Sequence, residues 1–162
     1  MNATQLTELV VRPELERLGL YSKAAEQLIV GTIFTESHGE YLKQLGDGPA
    51  LGIAQMEPAT HNDIWSNFLK YSNLSDRIME SVAPFSVTDD ADVPVKATEL
   101  IGNMCYAVAM CRAHYYRKSE PLPKAGDVEG FARYWKTHYN TAHGAGHMTD
   151  FIDKFPREIL SL

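Results

Sequence analysis

Ser22-Lys23-Ala24-Ala25-Glu26-Gln27-Leu28-Ile29-Val30-Gly31-Thr32-Ile33-Phe34-Thr35-Glu36-Ser37-His38-Gly39 is the stretch that decides the fold class. Ser22 has the side chain of a helix N-cap. Ala25, Leu28, Ile29, Gly31, Thr32, Ile33 and Phe34 then fill an interior-facing side at helical spacing. Near Ser37 to Gly39 the glycine permits a left-handed exit turn. The segment predicts an apolar helix that ends on a single carboxylate, Glu36.

The same periodicity extends outward in both directions. Leu6, Leu9, Val10, Leu15, Leu18 and Leu20 make a leading amphipathic segment, interrupted at Pro13. Residues 40 to 56 hold Gly46, Gly48, Pro49 and Gly52, lack helical period, and read as a loop with short strands. Pro58 suits the first turn of a helix carrying Ile64, Trp65, Phe68 and Leu69. Ala83 to Pro94 is acidic and proline-bearing, hence a surface loop. A long helix is predicted from Val95 to Arg117, with Leu100, Ile101, Met104, Val108 and Cys111 on one stripe. Asp127 caps a helix through Phe131, Tyr134, Trp135 and His138, and a last helix runs from Met148 to Leu160, perturbed at Pro156. With no repeat and no linker, the expectation is one domain over residues 1–162. Its class is α+β, predominantly α-helical, with a small glycine-rich excursion.

Composition narrows the functions. The 162 residues are 44% hydrophobic, ordinary for a folded domain, and carry a formal charge of −6. That balance argues against binding nucleic acid or anionic membranes. The apolar stretches are too short to cross a bilayer, so no membrane insertion is expected. Cys105 and Cys111 lie six apart on one predicted helix, a rise of about 9 Å, too far for a disulfide. Two free thiols point to synthesis in a reducing compartment. Met1 to Val11 lacks a basic segment followed by an apolar one, so no secretory signal is read.

Three short words carry the chemistry: Thr35-Glu36-Ser37-His38-Gly39, Leu51-Gly52-Ile53-Ala54-Gln55-Met56, and Tyr139-Asn140. A carboxyl at a helix C-terminus faces the negative end of the macrodipole, which disfavours its charge, and apolar neighbours raise its pKa further. One neutral acid among amides and a phenol suits protonation of a glycosidic oxygen.

Glu36-Ser37, then Ala50-Leu51-Gly52-Ile53-Ala54-Gln55-Met56-Glu57-Pro58-Ala59-Thr60, then Tyr139-Asn140-Thr141-Ala142 with Gly144, resemble in order and spacing the three motifs of the soluble lytic transglycosylase and goose-type lysozyme family. The resemblance covers roughly residues 25 to 155 of this sequence. It implies a lysozyme-like fold with a groove for peptidoglycan glycan strands. The bond cut joins N-acetylmuramic acid to N-acetylglucosamine, usually leaving a 1,6-anhydro end. Glu36 would be the single catalytic acid and base. Ser37 would bond substrate or backbone, Gln55 and Met56 would lie along the groove floor, and Tyr139 would bring its hydroxyl towards Glu36. Asn140 would fix the local geometry, and Tyr134, beside the third motif, is a further groove candidate. This sequence departs from the family at His38-Gly39, at Thr141 and at His143-Gly144-Ala145-Gly146, positions that touch the groove wall more than the acid.

Other residues have side chains that could carry chemistry. Asp47 is the nearest second carboxyl for a hydrolytic route, and otherwise a turn residue before Gly48. Glu57 reads as a favourable charge at a helix N-terminus. His138, His143 and His147 cluster, but no cysteine or carboxylate completes a ligand set, so neither metal nor cofactor is expected. Trp65 and Trp135 read as core. Asn73-Leu74-Ser75 matches a glycosylation acceptor that is idle without secretion. The expected partner is the peptidoglycan strand, met by a monomer made in the cytoplasm. Such a protein would be a bacteriophage endolysin or virion-associated lysin reaching the wall after release. Rival readings are a hydrolytic muramidase on the same fold and a glycan-binding or structural virion protein without turnover.

Overall fold

The computed structural model describes residues 1–140 and 144–162, and its architecture is helical. Helices α1 (Ala3–Leu6) and α2 (Arg12–Arg17) are joined by a π-helical turn, Thr7–Val11. Pro13 therefore does not interrupt the leading segment. The wider turn, closed by the Arg12 N–H on the Thr7 carbonyl, leaves room for a ring that a regular helix would push against the preceding turn.

Helix α3 (Lys23–Ser37) starts where Ser22 accepts the Ala25 N–H at 3.1 Å. Its buried Glu26 is held by Arg12 at 2.6 Å and Lys23 at 2.8 Å, tying α3 to α2. The remaining helices are α4 (Pro58–Asn67), α5 (Leu74–Met79), α6 (Glu99–Gly102), α7 (Met104–Tyr116), α8 (Val128–Trp135) and α9 (Met148–Lys154). No helix of the described residues is long and apolar enough to cross a membrane.

The centre of the fold is α7. Tyr106 to Tyr115 are buried on every side, with α2, α3 and α4 packed around them. A helix at the centre has no polar face, which is why the one-stripe reading of 95–117 fails; Met104, placed on that stripe, is exposed. The long helix is also broken. Asn103 adopts an extended conformation, accepts the Tyr106 N–H at 2.9 Å and donates to the Ser81 carbonyl at 2.7 Å. It thus starts a new helix instead of continuing the old one.

At the other end, Asp127 caps α8 through the Gly130 N–H at 2.8 Å. Helix α9 stops at Lys154, before Pro156, and a 3₁₀ turn over Arg157–Ser161 follows. The glycine-rich excursion holds less strand than expected: among the described residues, pairing is limited to the isolated bridges Lys43–Leu51, Leu51–Met56 and Val87–Val95. Cys105 and Cys111 are both free.

Candidate active site

The last turn of α3 delivers Glu36. His38 closes the helix in the left-handed conformation at φ 55°, one residue before the glycine that the sequence marks for it. Ser37 is fully buried: its hydroxyl donates to the Ile53 carbonyl at 2.6 Å and accepts the Gly39 N–H at 3.1 Å. Of the two kinds of partner expected of Ser37, substrate or backbone, the structure shows the backbone. These contacts pin the 50–57 loop to the end of α3.

That loop turns tightly. Leu51 and Met56 exchange both backbone hydrogen bonds, at 2.9 and 3.0 Å. Gly52 sits at φ 74°, where a Cβ would stand 2.3 Å from the Leu100 carbonyl oxygen, so only glycine fits without displacement. Gln55 is held at φ 48°, with its amide donating to the Gly52 carbonyl at 2.9 Å. Non-glycine residues in this region store strain, and such positions concentrate at functional sites.

The third segment arrives on α8 and the π-helical turn Lys136–Asn140 that follows it. The Tyr139 hydroxyl donates to the Ala54 carbonyl at 2.7 Å, not to Glu36. Its ring packs against Tyr115 at 5.3 Å and edge-on to His114 at 5.0 Å. The Asn140 side-chain carbonyl accepts from Lys136 Nζ at 2.7 Å, and the same ammonium reaches the Gly144 carbonyl at 2.9 Å.

Between these three segments lies a cavity of about 420 Å³, walled by Glu36, Gln55, Met56, Glu57, Tyr139 and Asn140. A second cavity, of about 340 Å³, lies beside it and includes His38, Tyr41 and Leu45; Glu36, Gln44 and Gln55 border both. Glu36 thus stands at the junction of a two-part groove. Met56 reaches it although it is buried overall.

The electrostatics single out Glu36. Burial pushes its pKa up to about 7, against the opposing pull of the Trp135 N–H and the Lys154 ammonium. The Trp135 indole N–H donates to Glu36 Oε1 at 2.8 Å, and Lys154 reaches the Thr35 carbonyl at 3.3 Å. His114 also lines the larger cavity and is kept neutral: burial and the neighbouring Arg117 push its pKa down to about 3.

Other expected residues lie elsewhere. Tyr134 is buried, donates to the Glu120 carbonyl at 2.7 Å, and borders neither part of the groove. Its placement in the groove is corrected: at one residue before Trp135 it points into the Tyr115 cluster instead. Asp47 is exposed and outside both cavities, whereas Glu57 lines the larger one from the position that precedes α4. His138 bonds Glu120 at 2.6 Å, and His147 opens α9 through its N–H on Asp150 at 2.6 Å. Thr141, Ala142 and His143 of the third word lie outside the described residues. Trp65 is core, with its N–H on the Tyr106 hydroxyl at 2.8 Å.

Sequence reasoning missed Trp135 as a partner of Glu36, along with His114, Lys136 and Gln44. The signal for Trp135 was its place four residues before Tyr139, which puts both on one helical face. Compared with known family models, curated proteins and solved structures, the chain matches none.

Proposed function

We propose that this chain is a lysozyme-like, peptidoglycan-cleaving glycosidase that acts as a lytic transglycosylase, with Glu36 as its single acid and base. The observation that carries the reading is the Glu36 carboxyl at the junction of a two-part groove, where burial pushes its pKa up to about 7. The neutral carboxyl donates its proton to the bridging oxygen as the bond to the anomeric carbon breaks. The substrate's own acetamido group stabilises the positive charge that develops at that carbon. The carboxylate then takes the proton of the sugar's 6-hydroxyl as that oxygen closes the anhydro ring. Such chemistry needs no second carboxyl, and Asp47, the one the sequence offers for hydrolysis, stands outside the groove. The chain's role would be that of a phage endolysin or virion-associated lysin acting on the wall as a monomer.

One observation favours a second reading. Glu57 shares the larger cavity with Glu36 and could activate a water, which would make the enzyme a hydrolytic muramidase. Mass spectrometry of products from purified peptidoglycan separates the two. Anhydromuramic ends, absent with Glu36→Gln and retained with Glu57→Gln, support transglycosylation. Reducing ends that disappear in both variants support hydrolysis. No cleavage of any wall type by the wild type rejects both.

A further inference from the structure

We propose that Trp135 is the positioning residue of the Glu36 carboxyl: its indole N–H occupies Oε1 and so places the transferable proton on Oε2, the oxygen open to the groove. The inference rests on the proposed role of Glu36 and adds the device that orients its proton.

An indole N–H donates and cannot accept. At 2.8 Å from Oε1 it requires a lone pair there. In a neutral carboxyl the carbonyl oxygen is the stronger acceptor, so the indole selects the form in which Oε1 is carbonyl and Oε2 carries the hydrogen. Oε2 receives no hydrogen bond from the described residues, and it is not sealed either. Arg117 Nε is the sole buried, unpartnered side-chain polar atom among them. The unsatisfied oxygen therefore belongs to the face of Glu36 that borders the two cavities.

Trp135 is itself rigid. It is 1% exposed, packs on Phe151 at 5.8 Å, and is approached so closely by Gly146 that a Cβ there would stand 2.7 Å from Cη2. A ring held this firmly keeps its N–H aimed at Oε1.

The reaction balances on this arrangement. The Oε2–H bond breaks as the proton moves to the bridging oxygen, and the anomeric C–O electron pair leaves with that oxygen. Glu36 becomes a carboxylate, and the neutral indole bond to Oε1 becomes a charge-assisted one. The stabilisation is thus larger after proton transfer than before, which is the condition for accelerating the step. Other groups facing the carboxyl do not substitute for it. Lys154, from α9, contributes charge from the Thr35 side, and burial holds the Tyr115 and Tyr139 phenols and the Cys111 thiol neutral. His114 and Glu57 border the cavity without bonding Glu36.

The test replaces the Trp135 side chain with its benzothiophene isostere, which keeps the ring shape and lacks the N–H, beside Trp135→Phe. Activity on purified peptidoglycan is followed against pH, and the Glu36 carboxyl carbon is titrated by NMR without substrate. The lost bond favoured the charged form, so the midpoint should move upward by about one pH unit, and the alkaline limb of kcat/KM with it. The maximal kcat should fall about tenfold or more, with KM little changed. A folded isostere with unmoved midpoint and limb, or with kcat within about twofold of wild type, overturns the proposal. A shifted midpoint in a protein whose wild type cleaves no glycan removes the catalytic role and the proposed function together, while the bond itself stands.

Discussion

Glu36 ties activity and stability to pH in the same sense, both falling as pH rises. In the unfolded chain its carboxyl ionises near its ordinary value of 4.5, and in the folded protein burial holds the proton up to about 7. The folded state therefore binds the proton more tightly, and the stability this gives is lost as pH rises through that window. As a general acid the residue must be protonated, so kcat/KM should fall on the alkaline side of about pH 7. Glu36→Gln should lower activity by about 10²–10⁴-fold. It should also raise stability above about pH 7 by roughly 1–3 kcal/mol, with little gain near pH 4. Chemical denaturation at the two pH values checks this; equal effects at both would show that ionisation of Glu36 costs the fold nothing. Much of this site was legible because its parts are short and local: Glu36, Gln55, Met56, Tyr139 and Asn140 come together at one cavity. What was not legible depends on packing. Ser37 and Tyr134 carry polar atoms that suit a groove, yet both are turned onto backbone carbonyls. Trp135 satisfies the rule for a core aromatic and also bonds an acid 99 positions away.

Helix starts were readable because their chemistry is contained within four residues. Ser22, Pro58 and Asp127 each stand where the sequence places them. The breaks were less readable, since they depend on distant partners or on a change of helical type. Asn103 breaks the 95–117 segment because Ser81 and Glu99 are there to receive its amide, and Glu99 in turn is bonded by Ser86 and the Ala83 N–H. The two π-helical turns leave no composition signature, and the second carries the third word of the site. On this stretch Trp135 bonds Glu36 from the buried side, and Tyr139, four residues later, lines the larger cavity. The 50–57 loop is the element most exposed to a single change. Gly52→Ala must force a β-carbon against the Leu100 carbonyl at an already left-handed φ. It should destabilise by about 2–4 kcal/mol and shift Gln55 and the Ala54 carbonyl that receives Tyr139. Urea denaturation together with KM for peptidoglycan tests both effects. A variant of wild-type stability and KM would mean that the loop rearranges freely and is not the groove's fixed floor.

Across the whole molecule the site is a convergence of three segments, and what brings them together is helix packing rather than the groove residues themselves. α3 presents Glu36, α8 presents Trp135 and the π-helical turn after it Tyr139, and α9 packs against both helices. The closest of these approaches is at Gly31. A Cβ there would lie 2.5 Å from Phe151 Cζ and 2.8 Å from Phe155 Cδ2, and both rings are buried. Gly31→Ala therefore cannot be absorbed by a side chain swinging into solvent, and α9 has to move off α3. Overpacking of this kind should destabilise by about 1–3 kcal/mol. The displacement also carries functional consequences, because Lys154 leaves the Thr35 carbonyl and Phe151 is the ring that backs Trp135. With the ammonium farther away, Glu36 should ionise at higher pH than in the wild type, and kcat should drop although no groove residue has changed. Thermal melting, the pH profile and the Glu36 carbon titration measure the three effects on one variant. If stability falls while the titration midpoint and kcat stay at wild-type values, α9 serves the core alone. If all three move together, the packing of α9 on α3 is what holds the acid and its indole partner in register.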